Sequence, residues 1–412
     1  MDCNSISFWF KDLGIPSRLF DTICWYLLGP MLPSDKHSQQ NAEKISGKEN
    51  SLFSKMLINS SDISKMTLNR ALRRFLKKLM KSRKKIVKDA PWTIFLIIDA
   101  TLHKRSSMHV ENAQKFNHGK GWIIGHQWTN IALLINDQLV PLPPIPFITK
   151  EECERQNIKY KTEPDKINDY LKSLSLKEIL GEHKEEEILV LMDAGYDNKK
   201  IQNTLVSRKW DFISGLKNTR TIYKGKNNFP RIERFFRDGR RPWKFIRIAS
   251  GELKKGKLRK HSIKHLEGSL RGVKRKLQLV CSKRSRETKL KFLACSNLKV
   301  SPKSILLAYK KRWFIEIFHR NIKSYLGLED AGVMKFKSIQ AHVNWVYCAY
   351  IFLLDNFGGQ IGIKSSQIRL EREINLKQKK EEVQILTRIS GKQLLKSHLQ
   401  SVIKHLEKQK AA

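Results

Sequence analysis

The chain has 412 residues, 40% of them hydrophobic, and a formal net charge of +41. That size and apolar content exclude a disordered chain and leave room for two or three domains with real cores. The charge points to a polyanionic partner, DNA or RNA above all, because each neutralised phosphate releases counterions and favours binding. An anionic membrane is the competing partner. However, the longest apolar run, Val343 to Leu354, is interrupted by Asn344 and too short to span a bilayer. The N-terminus lacks a basic-then-apolar signal pattern. The six cysteines (Cys3, Cys24, Cys153, Cys281, Cys295 and Cys348) include no CxxC pair. This argues against a zinc ribbon or a disulfide scaffold and for reduced, mostly core cysteines in a cytosolic protein.

In chain order, residues 1 to 88 read as a mostly helical, basic region. Scattered apolar residues from Phe8 to Leu28 are broken by a turn at Gly14-Ile15-Pro16. Pro33 to Asn50 is polar and reads as an exposed loop. From Leu68 to Lys88, the residues Leu68, Leu72, Phe75, Leu76 and Leu79 keep helical spacing. Ten of the nineteen residues from Arg70 to Lys88 are Lys or Arg. A DNA-gripping helix and a solvated basic face both fit, and the total charge favours DNA.

Ala90-Pro91 marks a boundary. Trp92 to Ile98 (WTIFLII) then has the continuous apolar character of a strand buried on both faces, and it ends in Asp99. Residues 107 to 118 and 121 to 136 read as strands joined by the turn Asn117 to Gly121. Pro141 to Pro146 is a loop, Pro164 to Glu178 an amphipathic helix, and Gly181 to Glu187 a polar turn. Ile188 to Met192 (ILVLM) is a second short buried strand, and it too ends in an aspartate, Asp193. A helix over Asn198 to Lys209 and a strand over Trp210 to Leu216 complete an α/β pattern.

From 221 to 286 the chain is basic and strand-like, with pieces such as WKFIRIA and KLQLVC. Between Lys254 and Lys276 there are ten Lys or Arg and one acidic residue. Leu290 to Ala294 is a further strand. Ser301 and Pro302 stand as N-cap and first helical residue of a long helix running to about Leu326, where Gly327 can end it. Gln340 to Asn356 is an apolar helix. The tail from about Lys364 reads as helical and exposed.

The long helix carries Tyr309, Arg312, Glu316 and Lys323. At about 100° per residue they share, with Arg320, a stripe roughly 80° wide. Phe314, Ile315, Ile317, Phe318 and Ile322 fall on the opposite side. By itself this describes equally a solvated face with ion pairs. Asp99 and Asp193 change the weighting, since a charge at the end of a buried strand is costly unless it has a task or a partner. Three carboxylates brought together can hold hard divalent cations for phosphodiester chemistry.

The motifs resemble those of the DDE transposases of bacterial insertion sequences, of the IS4 type. Tyr309, Arg312, Glu316 and Lys323 match that family's helix signature at all four positions and all three gaps. Asp99 ends a central strand as the family's first aspartate does. LVLMDAGYD around Asp193 resembles the second motif, although Ala194 stands where many relatives carry Arg or another polar residue. The resemblance covers roughly residues 91–355 and places the β-rich insertion at 221–286.

It implies an RNase H-like catalytic core (89–220 and 287–356), preceded by a DNA-end-binding region (1–88) and followed by a helical tail (357–412). It implies that Asp99, Asp193 and Glu316 are catalytic and ligate two Mg²⁺ ions, with Mn²⁺ as a substitute. Tyr309, Arg312 and Lys323 would contact phosphates near the element's end, with Trp313, His319 and Arg320 as further DNA-contact candidates. The implied partners are double-stranded DNA, as terminal inverted repeats and target, and a second copy of the chain at synapsis, in a cytoplasmic, nucleoid-associated setting. Relatives with this signature often pass through a DNA hairpin.

Trp243 in the insertion is expected in the core, with stacking on a flipped base as the alternative. Asp197 is expected to cap the helix that follows it. His103, His109, His118 and His126 lie near the first aspartate without the spacing of a metal site. A non-catalytic DNA-binding protein derived from a transposase, or an RNase H-like nuclease, are the other readings.

Overall fold

The computed structural model describes residues 3–32, 38–85, 87–117, 119, 121–223, 230–238, 242–249, 258–284 and 287–358, with scattered residues from 364 to 384. Five helices come first: α1 (Cys3–Phe10), α2 (Ser17–Met31), α3 (Ser38–Ser46), α4 (Asn50–Asn59) and α5 (Ser61–Lys81). Strands β1 (Ile94–Lys104), β2 (Gln114–Asn117), β3 (Trp122–Ile135), β4 (Gln138–Pro141) and β5 (Ile145–Pro146) follow. Then come α6 (Lys150–Arg155), α7 (Glu163–Ser173), α8 (Leu176–Leu180), β6 (Ile188–Met192), α9 (Lys199–Ser207) and β7 (Asp211–Leu216). The insertion holds β8 (Ile222–Tyr223), α10 (Ile232–Asp238), β9 (Lys244–Ala249), β10 (Leu258–Leu270) and β11 (Leu277–Arg284). The chain closes with β12 (Lys291–Cys295), α11 (Pro302–Lys310), α12 (Trp313–Ser324) and α13 (Phe336–Phe357).

The chain divides into two compact units, Asn69–Arg320 and Met1–Leu68 with Asn321–Ala412. The first contains the sheet, in the order β2-β3-β1-β6-β7-β12-β11-β10-β8. β3 runs antiparallel to β1, while β1, β6 and β7 are parallel. Two antiparallel strands beside three parallel ones, with α9 crossing from β6 to β7, make the fold mixed α/β and RNase H-like. The reason is visible in composition: the five residues of β6 and residues 94–98 of β1 are apolar and fully buried, as strands covered on both faces must be. β12 adds antiparallel to β7 and leads into β11 and β10, so the insertion's strands continue the same sheet.

The second unit is helical. α13 is buried over almost its whole length. The His342 ring on it meets Tyr26 Oη at 2.7 Å and the Gly327 carbonyl at 3.0 Å. No helix among the described residues is long and apolar enough to cross a membrane.

Several local expectations need correction. The polar stretch Pro33 to Asn50 contains a packed helix, α3, with Ser38, Gln39, Asn41 and Ala42 buried. Gly29 on α2 permits this, because a Cβ there would stand 2.9 Å from the Ser38 carbonyl oxygen. Asn41 Nδ2 donates to the Gly29 carbonyl at 3.1 Å. Of the described residues in 107–117, only Gln114–Asn117 form a strand. The expected helix from Pro164 to Glu178 is two, broken at Leu174–Ser175, and α6 and α10 are additional. The single long helix is also two, α11 and α12, joined by a tight turn with i+3 hydrogen bonds such as Phe314 N to Lys311 O. Its start is as expected, with Ser301 Oγ accepting from Ser304 N. In the tail, Ser366, Gln367 and Leu370 are buried rather than exposed. The part of the expected exposed helix at 385–412, His118 and the basic loop expected at 250–257 lie outside the described residues.

Candidate active site

The parallel register pairs Ile98 with Met192. Asp193 directly follows β6, whereas Asp99, expected to end its strand, lies within β1, which runs on to Lys104; the two stand side by side on adjacent central strands where their parallel pairing ends. Asp99 continues in β1, where its antiparallel partner on β3 is Asn130. Its Oδ1 accepts from its neighbour Ala100 N at 3.0 Å. Asp193 begins a tight turn: its Oδ1 accepts from Gly195 N at 2.7 Å, and its carbonyl accepts from Tyr196 N at 3.2 Å.

Arg312, in the turn between α11 and α12, joins two of the carboxylates. Its Nη1 lies 3.2 Å from Asp99 Oδ2 and its Nη2 2.5 Å from Glu316 Oε1. A planar guanidinium suits such bridging because its donors form a fixed fork. Tyr309, at the end of α11, brings its hydroxyl against Gly215 of β7. A Cβ at Gly215 would lie 2.9 Å from that oxygen and 2.8 Å from Ala194 N.

The electrostatics tie these groups together. Burial pushes the Asp99 carboxyl up to about 6; Arg312 opposes this, while Asp193 and Glu316 add to it. Burial likewise pushes Tyr309 up to about 12, with Arg312 opposing and Asp193 and Asp99 adding. Asp99 therefore senses both other carboxylates.

The remaining candidates fall in different places. His319 is held at 2.9 Å from Asn130 Nδ2. Trp313 is 57% exposed, and Arg320 is exposed. Lys323, in the last turn of α12, lies in the helical unit with its Nζ 3.8 Å from Glu329 Oε1. Burial lowers its pKa, with Glu329 opposing.

Two expectations are corrected. Trp243 is not in the core; it is half-buried, with Lys264 and Lys283 each 4.9 Å from its ring centre. Asp197 does not cap α9. Asn198 does, accepting from Lys200 N at 2.8 Å, while Asp197 Oδ1 accepts from Gln202 at 3.1 Å and lies 3.5 Å from Arg220 Nε.

Sequence reasoning missed Gly215 and Asn130. Each carried a signal: a glycine inside a buried strand marks a close approach of another group, and an amide heading the buried apolar run of β3 needs a partner.

The donor chemistry fits a hard divalent cation, since all three carboxylates offer oxygen and Arg312 already places a positive charge between two of them. Among the described residues, no group of three His, Cys, Asp or Glu side chains is placed to hold an ion as it stands. Arg312 must yield before Asp99 and Glu316 can share one.

The sheet order and the aspartates side by side on its central strands fit the RNase H-like class of proteins. Residues 93–352, more than half the chain, match the transposase DDE domain family, and the chain belongs to it. No curated protein matches the chain. Membership makes this a transposase-type protein that acts on DNA, in a family that uses divalent metal.

Proposed function

We propose that the chain is a metal-dependent DNA transposase that cleaves the ends of its insertion sequence and joins them to target DNA. Asp99, Asp193 and Glu316 are the carboxylates that hold Mg²⁺, as a pair of ions. Bound there, the metal would activate a nucleophile and neutralise charge developing on the phosphate. The carboxylates orient that centre. Tyr309 and Arg312 bind phosphate oxygens of the element's end, and Lys323, Trp313 and Arg320 extend the contact along the DNA.

In the first step a water oxygen bonds to phosphorus and the bond from phosphorus to the 3′ oxygen breaks, freeing a 3′-hydroxyl. In the second, that oxygen attacks a target phosphorus and displaces the target's own 3′ oxygen. Residues 1–88 bind the terminal repeats, two copies of the chain synapse two ends, and Trp243 between its two lysines stacks on an unpaired base.

The observation that carries this reading is the bridge from Asp99 through Arg312 to Glu316, beside the strand ending in Asp193. The test is nicking of the element's own terminal repeats with Mg²⁺ by wild type and Glu316→Gln. Wild type nicks at the ends, and the variant loses at least about two orders of magnitude, the scale of removing a group that stabilises transition-state charge. Equal nicking by both proteins refutes the role of Glu316. End binding without nicking by wild type favours a DNA-binding protein without catalysis.

A further inference from the structure

The carboxylates of the candidate centre are separated along the chain, yet a second set of polar side chains ties their supports together. Glu163, the first residue of α7, accepts two hydrogen bonds on one oxygen. Thr129 Oγ1 donates to its Oε1 at 2.6 Å and Tyr196 Oη donates to the same atom at 3.1 Å. Thr129 and Tyr196 are both buried. A buried hydroxyl is costly without an acceptor, so these bonds are structural commitments.

Each donor leads to the centre. Tyr196 closes the turn that begins at Asp193, and its position fixes the Gly195 N–H that holds the Asp193 carboxylate. Thr129 lies on β3 opposite Ala100, one residue from the pair Asn130–Asp99. Asn130 in turn meets His319, three residues beyond Glu316 on α12. Residues 129 and 130 of β3 thus serve as a common anchor. One side reaches the Asp193 turn through Glu163, and the other reaches the helix of Glu316 through His319. Tyr196 also senses the charges of Asp99 and Asp193, which places this network against the centre.

We propose that Glu163 is a positioning residue that holds the Asp193 turn to the strand beside Asp99, and so sets the spacing of the carboxylates for metal. The proposal rests on the reading of Asp99, Asp193 and Glu316 as metal-holding carboxylates. What it requires of Glu163 is a fixed acceptor oxygen and not a charge. Gln at this position supplies the same acceptor, and Ala supplies none.

The test measures Mn²⁺ binding to the full chain without DNA, by electron paramagnetic resonance. In parallel, end cleavage is followed against Mg²⁺ concentration. Glu163→Ala weakens Mn²⁺ binding by about tenfold or more and raises the Mg²⁺ requirement equally, the usual scale for removing a group that orients a ligand. Glu163→Gln stays within about threefold of wild type, and Tyr196→Phe falls between them. Thermal midpoints that stay close together separate this role from a general loss of fold. Should Glu163→Ala not fold, Thr129→Val keeps the shape, removes only the 2.6 Å bond, and is expected to weaken Mn²⁺ binding.

Wild-type Mn²⁺ affinity in Glu163→Ala, or in Thr129→Val where that variant stands in, overturns the proposal. So does a Gln variant as impaired as Ala, which would make charge the operative property. A wild-type chain that binds Mn²⁺ but nicks no end DNA defeats the transposase reading while the Mn²⁺ comparison still decides the role of Glu163. A wild-type chain that binds no Mn²⁺ overturns the positioning proposal.

Discussion

At the scale of single residues, Asp99 holds a proton more tightly in the folded protein than in the unfolded chain. Its carboxyl is pushed up to about 6 by burial, against Arg312 and with help from Asp193 and Glu316. For a raised carboxyl, the stabilising contribution is complete below the unfolded pKa, near 3.9, and is lost as pH rises through the folded value. Two pKa units correspond to about 3 kcal/mol. Without metal, the wild type should therefore lose stability relative to Asp99→Asn by up to about 3 kcal/mol between pH 4 and pH 7. Denaturant unfolding in a chelating buffer reads this directly. A difference between the two proteins that does not change with pH would contradict it. Added Mg²⁺ should reverse the loss, because a bound cation stabilises the ionised carboxylate and the folded state that binds it.

At the scale of elements, the turn between α11 and α12 and the missing side chain on β7 decide the geometry. On a continuous helix, Arg312 would be one cation in a stripe. The break at Lys311 and Arg312 instead lets it reach Asp99 and Glu316 together. Gly215 matters in the same way. An added Cβ would sit 2.8 Å from Ala194 N and 3.1 Å from the Asp193 carbonyl carbon. Either the Asp193 turn or Tyr309 must then move. Overpacking of this kind costs about 1–3 kcal/mol. Gly215→Ala should lower the thermal midpoint by several degrees and reduce end cleavage well beyond what that loss of folded protein explains. Wild-type cleavage and an unchanged midpoint would show that the close approach is not needed.

At the scale of the molecule, the charge of +41 is the dominant property. On α5, Arg70, Arg73, Lys77, Lys78 and Lys81 are exposed while Leu68, Leu72, Phe75, Leu76 and Leu79 are buried. That exposed face offers cations to phosphate, as the proposed DNA-binding role of residues 1–88 requires. Each neutralised phosphate contributes about 0.9 to the slope of log affinity against log salt. Replacing Lys77, Lys78 and Lys81 with Gln should reduce that slope by about 2–3 for binding to end DNA, as measured by fluorescence anisotropy across a salt series. An unchanged slope would place the DNA on another face.

The amino-acid sequence by itself determined the two buried apolar runs and the aspartate that follows each of them. A run of apolar residues wide enough to be covered on both faces admits few other placements, and the charge that follows marks where full burial stops, although β1 itself runs on to Lys104. It also determined the capped start of α11 at Ser301-Pro302 and the amphipathic face of α5, because both depend on local spacing. Only the tertiary structure decided that Arg312 bridges two carboxylates, that a glycine on β7 makes room for Tyr309, that polar α3 is packed, and that Trp243 stands outside the core. Each of these depends on which groups come together from distant parts of the chain, and local periodicity carries no information about such encounters.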